Sequence, residues 1–298
     1  MTRFMTSSDR APSSSASSEP LVSLHMAMLN TRPYVEQAVR SICRQSYQNW
    51  ELLVWDDGSN DGSREVVADL ARREPRIRLL GGEHVGVYGG LARTIAASSG
   101  PYLGWIDSDD FLAPEALAAT VASLGQHPQC GAVYTDYYDV DRHGKVLQLG
   151  QRCRIPYSRD RLLVDFMTFH FRLLRRSAFE QAGGLDPTIT LAQDYDLCLR
   201  LSEKTGFHHL ATPLYYYRRR PDSVSYARRV EQIECSAAAV RRALVRRGLA
   251  PQVTLEVEII GRFRLLRHDK LPPGEHAATS PTLGTAVDAP QATNTLDA

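Results

Sequence analysis

The sequence has few cysteines, and none of them lie at a spacing that binds metal. Its five thiols are far apart and form no Cys-x-x-Cys pair; they are Cys43, Cys130, Cys153, Cys198 and Cys235. Disulfide-stapled domains and structural zinc sites need closely patterned cysteines, so the sequence supports neither class. Unpatterned thiols in odd number are typical of a reducing compartment, and we expect a cytoplasmic protein.

Long hydrophobic runs and charge of one sign are also lacking. No stretch of 18 apolar residues occurs, and the Ser-rich first 20 residues contain no apolar signal core, so we expect neither membrane spanning nor export. The 35 Lys and Arg residues nearly balance the 34 Asp and Glu residues. This balance gives no support to nucleic-acid binding.

The common glycine-rich nucleotide motifs are absent as well. The chain has neither G-x-G-x-x-G nor G-x-x-x-x-G-K-[ST], and no H-E-x-x-H or Ser/His/Asp pattern stands out. Rossmann-type dinucleotide binding, P-loop chemistry and zinc-protease chemistry therefore have no support from the sequence.

What is present is the composition of a folded α/β protein with tails. Of the 298 residues 43% are hydrophobic, enough for one large core with an appendage. Residues 1–19 and 271–298 are rich in small and polar residues, which predicts disordered tails. Between them we predict a main domain over 20–226 and a basic helical extension over 227–270.

Short β-rich segments alternate with helical patterns along the first half of the chain. The predicted strands are 21–28, 51–55, 77–80 and 102–106, the predicted helices are 33–45, 63–74 and one from Pro114, and a strand at 130–141 leads into a hairpin at 142–145. Such alternation is typical of a parallel sheet with crossover helices. The polar turns "DDGSNDGS" and "DSDD" then lie at the carboxyl ends of strands, where open α/β sheets bind ligands.

The segment "DSDD" (107–110) places three carboxylates together after an apolar strand. Crowded carboxylates repel one another, and a hard divalent cation such as Mg²⁺ or Mn²⁺ removes that cost. The alternative is that Asp109 or Asp110 only caps the helix that starts near Pro114. The turn "DDGSNDGS" (56–63) likewise allows a plain polar turn, but two acid-rich turns in one sheet favour a binding site.

Two further segments carry chemistry-bearing residues. In "QDYDLCLRL" (193–201), Asp194 can be a helix N-cap or a general base, and the residues alone do not separate these readings. In "YYYRRRPDSVSY" (215–226), three arginines follow three tyrosines. Guanidinium groups pair well with phosphate oxygens, although a solvated basic surface gives the same pattern.

Taken in order, these segments make the chain resemble the family 2 glycosyltransferases of GT-A fold, which are inverting enzymes. The matching stretches are "VSLHMAMLNTRPYVEQAVRSICRQSYQNWELLVWDDGSNDGS" (22–63), "GVYGGLARTIAASSGPYLGWIDSDDFLAPEAL" (86–117), "RRSAFEQAGGLDPTITLAQDYDLCLRLSEKTG" (175–206) and "YYYRRRPDSVSY". The resemblance implies a Rossmann-like, mainly parallel sheet flanked by helices, a nucleotide-sugar donor and a divalent metal.

The resemblance also implies a role for each matching residue. Asp57 would hydrogen-bond the nucleobase, Arg93 would help hold the nucleotide, and Asp107 would lie near the ribose. Asp109, the second Asp of the DxD-type motif, would hold Mn²⁺ or Mg²⁺. Asp194 would be the catalytic base that takes the proton of the acceptor hydroxyl.

Three positions depart from the family pattern. Where relatives have Pro-x-Tyr-Asn near the first strand end, this chain has Ala27 and Leu29 before Asn30, so the aromatic ring that would stack on the base is missing from this segment. Ala27 and Asn30 are still expected to line the donor site, with a UDP-sugar as the expected donor. Gln193 stands where relatives often have Glu, and Arg220 where many have His; Arg cannot ligate metal but can pair with diphosphate.

The expected acceptor is the hydroxyl of a glycan or of a lipid-linked molecule. A noncatalytic protein that binds nucleotide sugars or glycans is the alternative, and a nucleotidyltransferase is a third hypothesis that lacks its glycine- and Arg-rich loop. Between Arg218 and Lys270 there are thirteen Lys and Arg against six Asp and Glu. This excess suggests peripheral contact with the inner face of an anionic membrane. A helix packed on the domain or a dimer contact explains it equally well.

Overall fold

The structure, a computed structural model, describes residues 19–220 and 228–259. Apart from Glu19, the predicted tails at 1–19 and 271–298 lie outside the described residues. So does the predicted domain boundary at 226 and 227, and so does the part of the basic extension from 260 to 270.

The first half of the chain forms the predicted alternation of strands and helices. Its strands are β1 (Val22–Met28), β2 (Trp50–Asp56), β3 (Ile77–Gly81) and β4 (Tyr102–Trp105), and its helices are α1 (Val35–Cys43), α2 (Ser63–Arg73) and α3 (Gly86–Ala96). These strands pair in parallel in the order β3-β2-β1-β4. The parallel sheet with crossover helices is therefore confirmed for this half.

Side chains of β1 alternate between two apolar layers because a strand turns successive residues to opposite faces. Leu24 and Met26 pack in the core cluster that also contains the inward faces of α1 and α2. Ala27 contacts the second cluster, which contains Leu91 and Ile95 of α3. The sheet is thus covered by helices on both faces, and its strand ends are left as the open edge where a ligand can bind.

The second half continues the same sheet with mixed strand directions. It contains β5 (Phe111–Leu112), α4 (Ala116–Gln126), β6 (Cys130–Val140), β7 (Val146–Leu149), β8 (Arg172–Arg175), α5 (Arg176–Gln181), α6 (Gln193–Ser202), β9 (Gly206–Arg218) and α7 (Arg229–Arg246). The described part of the chain forms nine strands in the order β3-β2-β1-β4-β8-β6-β9-β5, with β7 paired to β6. The β8 strand is antiparallel to both β4 and β6, and the predicted hairpin is confirmed as β6 and β7.

The basic helix α7 packs on the domain through its small apolar face. Ala239, Val240, Ala243 and Leu244 are buried in the second core cluster. Its arginines pair with acids of the domain, including Arg242 with Asp186 at 3.0 Å and Arg246 with Glu203 at 2.7 Å. Much of the basic charge of this helix is therefore matched within the chain. No helix in the described ranges is both long and apolar enough to cross a membrane.

Candidate active site

The two acid-rich turns meet at one edge of the sheet, as the strand alternation predicts. Strands β2 and β4 lie on either side of β1, with Asp56 paired to Met28 and Trp105 paired to His25. Asp57 follows β2 directly, and the segment 107–110 follows β4 after a single residue. The carboxyl ends of these parallel strands thus carry both turns to the same side.

Asp110, the last acid of "DSDD", points into the core and has a structural role. Its Oδ2 accepts a hydrogen bond from the Tyr215 hydroxyl at 2.7 Å, and its Oδ1 accepts one from the Arg218 backbone N–H at 2.7 Å. Burial, and after it the charges of Asp109 and Asp107, raise the pKa of Asp110 well above its usual range. Asp110 therefore joins the turn to β9.

Asp109 faces a cation instead of a helix end. The Arg220 Nε lies 2.8 Å from Asp109 Oδ2, and the Arg218 Nε donates to the Asp109 carbonyl at 2.6 Å. Helix α4 begins at Ala116 with no side-chain cap. The alternative that Asp109 or Asp110 caps this helix is therefore wrong, because both carboxylates are engaged by β9 and by Arg220.

Asp107 lies near two other acids and two arginines of the site. Its side chain is about half exposed, at 48%, and its Oδ2 is 3.8 Å from Nε2 of the buried His170. Partial burial in the cleft, followed by the charges of Asp109 and Asp194, raises the pKa of Asp107 to about 7, while Arg172 and Arg220 oppose this shift. Asp107 is thus within electrostatic range of both Asp109 and Asp194. The structure brings "DSDD" and "QDYD" into one cluster.

Asp194 is the second residue of α6 and does not cap the helix. Ala192 occupies the N-cap position with a φ of 65°, and no side-chain cap bond forms there. The Asp194 Oδ2 lies 3.3 Å from Nη2 of Arg172, whose side chain is only 1% exposed, while Asp194 keeps 20% exposure. The N-cap alternative for Asp194 is therefore wrong. Its carboxylate is paired with a buried cation and remains partly exposed to the cleft.

Asp57 is buried at the N-terminus of α3. Its Oδ1 accepts hydrogen bonds from the backbone N–H groups of Val85 at 2.6 Å and Gly86 at 3.1 Å, and His84 Nδ1 lies 2.7 Å from Oδ2. The start of α3 is therefore tied to the end of β2. Arg93 lies about two helix turns further on, with its guanidinium carbon 4.7 Å from the centre of the Trp55 ring.

Ala27 lies on β1, and Asn30 lies on the turn that follows this strand. Asn30 has a φ of 53°; its N–H donates to Ser59 Oγ at 3.1 Å and its Oδ1 accepts from the Asn60 N–H at 2.9 Å. Asn30 thus ties the turn after β1 to the turn after β2. Ala27 is half-buried on the α3 side of β1, and Leu29 is 42% exposed.

The residues present fit a divalent cation held together with a phosphate ligand. Within 19–220 and 228–259, no group of three or more His, Cys, Asp or Glu side chains is arranged to hold a metal by itself. Mg²⁺ is usually bound by one or two carboxylates together with substrate phosphates, so a preformed cage is not required. After burial, the charges of Asp109 and Asp194 are what raise the pKa of Asp107, and a cation held at Asp109 would offset this repulsion.

Sequence reasoning missed three residues that contact the cluster. Arg172 pairs with Asp194, and His170 lies beside Asp107 with its ring stacked on Tyr215 at 4.6 Å. Tyr88 of α3 is near both acids: burial and then the charges of Asp194 and Asp107 raise its pKa well above the usual range. Tyr88 lies in the matching stretch 86–117 but was not singled out there, and His170 and Arg172 lie outside every matching stretch, so only the folded structure identifies the three.

Comparison with solved structures defines the class of fold. The S. aureus TarS fragment 1–349 in complex with UDP-GlcNAc matches with a TM-score of 0.58 at 15% identity, covering 78% of this chain and 76% of that one. The mannosyltransferase PcManGT from Pyrobaculum calidifontis, in complex with GDP-Man and Mn²⁺, matches with a TM-score of 0.56 at 20% identity. The match covers 80% of this chain and 77% of the mannosyltransferase chain. The protein has the GT-A fold.

The chain belongs to glycosyltransferase family 2. A family model described as Glycosyl transferase family 2 matches residues 23–183, more than half of the sequence. A chondroitin synthase from Escherichia coli is 28% identical over 246 residues, which are 83% of this chain and 36% of the relative. The O-antigen biosynthesis protein RfbC from Myxococcus xanthus is 31% identical over 257 residues, which are 83% of this chain and 20% of the relative. The chain thus spans between a fifth and about a third of the length of these two relatives.

Proposed function

We propose that this chain is an inverting glycosyltransferase that moves a sugar from a nucleotide-sugar donor to a hydroxyl group of an acceptor. The observation that carries the proposal is that His170 and Arg172, two residues apart in the chain, lie 3.8 Å from Asp107 and 3.3 Å from Asp194, which brings the two acidic segments to one place. A site for the donor diphosphate and a base for the acceptor are then neighbours. Transfer requires this arrangement, because both reactants meet at one carbon atom.

In the proposed reaction, Asp194 accepts the proton of the acceptor hydroxyl while that oxygen attacks the anomeric carbon. The bond from this carbon to the diphosphate oxygen breaks as the new bond forms, and attack from the opposite face inverts the configuration. Asp194 is suited to this role because its carboxylate is partly exposed and is oriented by Arg172. General-base assistance of this kind contributes about 10²- to 10⁴-fold to the rate.

Asp109 would hold the Mn²⁺ or Mg²⁺, which when bound supplies positive charge against the charge developing on the leaving diphosphate. Arg220, which lies 2.8 Å from Asp109, would pair with the diphosphate as well. Asp107 would lie near the ribose, with Asp57, Arg93, Asn30 and Ala27 along the nucleotide. TarS with UDP-GlcNAc and the mannosyltransferase with GDP-Man share this fold, and we propose a UDP-sugar as donor here.

The proposed acceptor is a glycan or a lipid-linked molecule, in a cytoplasmic setting. Peripheral membrane contact remains a proposal that now rests mainly on residues 260–270, because Arg242 and Arg246 of α7 are paired with acids of the domain. Vesicle sedimentation of the full chain and of a variant with Arg262, Arg264 and Arg267 replaced by Gln checks it. Equal sedimentation of the two proteins would contradict the proposal.

The test of the function combines ligand binding with turnover. Nucleotide sugars are screened for a rise in melting temperature with and without Mn²⁺, since a ligand that binds only the folded state stabilises it. Release of nucleoside diphosphate is then measured for wild type, Asp194→Asn and the surface control Asp69→Asn. We expect Asp194→Asn to lose at least about 100-fold in kcat while its donor affinity is kept, and Asp69→Asn to match wild type.

Each other outcome points to a different error. Normal turnover by Asp194→Asn would show that the base is misassigned. Stabilisation by a nucleotide sugar without release or transfer over an acceptor panel would favour the noncatalytic alternative. Release of pyrophosphate from a nucleoside triphosphate would favour a nucleotidyltransferase.

A further inference from the structure

Arg152 has a guanidinium group whose buried Nη1 finds no hydrogen-bond partner among the described residues. It lies in a short 3-10 turn, Gln151–Arg154, between β7 and β8. Across the described parts of the chain, its side chain donates no hydrogen bond and has no carboxylate within 4 Å, and its Nη1 is shielded from solvent and unpartnered. Because a buried N–H group normally has a hydrogen-bond partner, the Nη1 group requires an explanation.

Two phenylalanine rings pack against this guanidinium group. Its central carbon lies 4.1 Å from the centre of the Phe169 ring and 5.4 Å from that of Phe166. Tyr217 packs edge-on against Phe169, with ring centres 5.3 Å apart. Phe166, Phe169 and Tyr217 are all half-buried, so their rings remain partly open. Aromatic walls around a few polar groups are the usual lining of a small-molecule site.

The Arg152 cluster, formed by Arg152, Phe166, Phe169 and Tyr217, contacts the residues that lie next to Asp194 and Asp107. Phe166 lies 5.4 Å from Arg172 as well, and Arg172 is the residue that pairs with Asp194. On the other side the Phe169 ring is 4.2 Å from His170, the neighbour of Asp107.

Electrostatic effects agree with this placement. Burial, and then Asp110, Asp107 and Asp109, raise the pKa of Tyr217, and the charge of Arg152 opposes them. A group bound at the Arg152 cluster would therefore lie near the acids of the 107–110 segment.

We propose that the Arg152 cluster is an acceptor subsite that binds an anionic oxygen group, a carboxylate or a phosphate, carried by the acceptor near its reacting hydroxyl. The proposal rests on the proposed glycosyl transfer. A guanidinium group matches the two oxygens of a carboxylate or phosphate with paired N–H donors, and the rings offer apolar faces to the C–H groups of a sugar. Cation–π stacking alone would hold Arg152 in place but would leave its donors unused.

Binding to three probes tests the proposal on the full chain: an oligosaccharide of uronic acid, its carboxyl-reduced neutral form and a sugar phosphate. Wild type, Arg152→Gln, Arg152→Lys and the control Arg154→Gln are compared by calorimetry in the presence of uridine diphosphate and Mn²⁺. Arg154 is an exposed arginine of the same turn. We expect wild type and the control to bind an anionic probe better than the neutral one. Arg152→Gln should lose about tenfold for the anionic probe only, and Arg152→Lys should lose less.

The probe that binds better, uronate or phosphate, identifies the source of the anionic group. Equal binding of anionic and neutral probes, unchanged binding by Arg152→Gln, or no binding of any anionic probe would overturn the proposal. Binding of uridine diphosphate is measured in the same samples and shows whether each variant is folded. Failure of the proposed transferase function would appear separately, as absence of nucleoside diphosphate release, because the probe measurements need no turnover.

Discussion

Arg172 forms an ion pair with Asp194: its Nη2 lies 3.3 Å from Asp194 Oδ2, and the arginine side chain is almost fully buried. The guanidinium group also donates to the Thr168 carbonyl at 2.7 Å and stacks 5.3 Å from the centre of the Trp105 ring. Arg172 belongs to β8 and Asp194 to α6, so this ion pair joins the sheet to the helix that carries the proposed base. We infer that Arg172 is a positioning residue.

Replacing Arg172 should therefore reduce kcat more than it changes donor affinity. We expect Arg172→Met to lose about 100-fold in kcat at nearly constant KM for the donor, because a misplaced base costs about that much. Arg172→Lys should recover part of the loss. Arg161→Met, which removes an exposed arginine paired with Asp165, is the matched control. Melting temperatures separate misfolding from misplacement, and an Arg172→Met enzyme with normal kcat would contradict the inference.

Arg220 and a divalent cation should compete for Asp109, given the 2.8 Å contact between Arg220 and that carboxylate. Arg220→Gln is expected to bind Mn²⁺ more tightly than wild type without nucleotide, since Asp109 loses a cationic partner. With uridine diphosphate present, Arg220→Gln should instead bind Mn²⁺ more weakly than wild type, because the variant has no arginine to pair with the diphosphate. Calorimetry measures both, with Arg219→Gln, which loses a contact to Asp139, as control. Identical Mn²⁺ affinities in wild type and Arg220→Gln would contradict the competition.

His25 should make the free energy of unfolding fall in mild acid. Neither buried ring nitrogen has a hydrogen-bond partner within residues 19–220 and 228–259, and burial, followed by the charge of Arg176, lowers the pKa of His25 to about 3. The unfolded chain binds a proton near pH 6.5, so between these values the unfolded state holds more protons and stability is lost as pH falls. Between pH 7 and pH 5, His25 should lower the free energy of unfolding by about 2 kcal/mol.

Urea unfolding at pH 7 and at pH 5 measures this loss of unfolding free energy. His25→Leu should show a loss smaller by that amount, whereas His143→Gln, at an exposed histidine of the β6–β7 turn, should behave as wild type. An unchanged pH dependence in His25→Leu would show that His25 takes up a proton in the folded state.

Two helical glycines should respond in opposite directions to alanine. A Cβ at Gly90 of α3 would lie 2.5 Å from Trp55 Cδ1, whereas a Cβ at Gly125 of α4 would have no neighbour within 4 Å. We expect Gly90→Ala to lose about 1 to 3 kcal/mol through overpacking, and Gly125→Ala to gain up to about 1 kcal/mol because alanine restricts the unfolded chain. Denaturant unfolding measures both changes. A stable Gly90→Ala protein would mean that α3 can move away from β2.

The order of strands and helices in the first half could be predicted from the sequence because hydrophobic periodicity is local. The strand at 21–28 and the helix at 63–74 appear as Val22–Met28 and Ser63–Arg73, and the hairpin after 130–141 is present. The antiparallel insertion of β8 between β4 and β6 was not predicted, because pairing partners far apart in the chain leave no periodic signal.

The sequence by itself determined which acids belong to the family motifs and at which strand ends they lie. Only the tertiary structure decided what each carboxylate does: Asp110 turns inward to Tyr215 and Arg218, more than a hundred residues away, while Asp107 and Asp109 face the cleft. Side chains on a turn follow no fixed period, so their directions depend on contacts made when distant strands pair. For the same reason Arg172 and Arg152 became visible only in the folded chain.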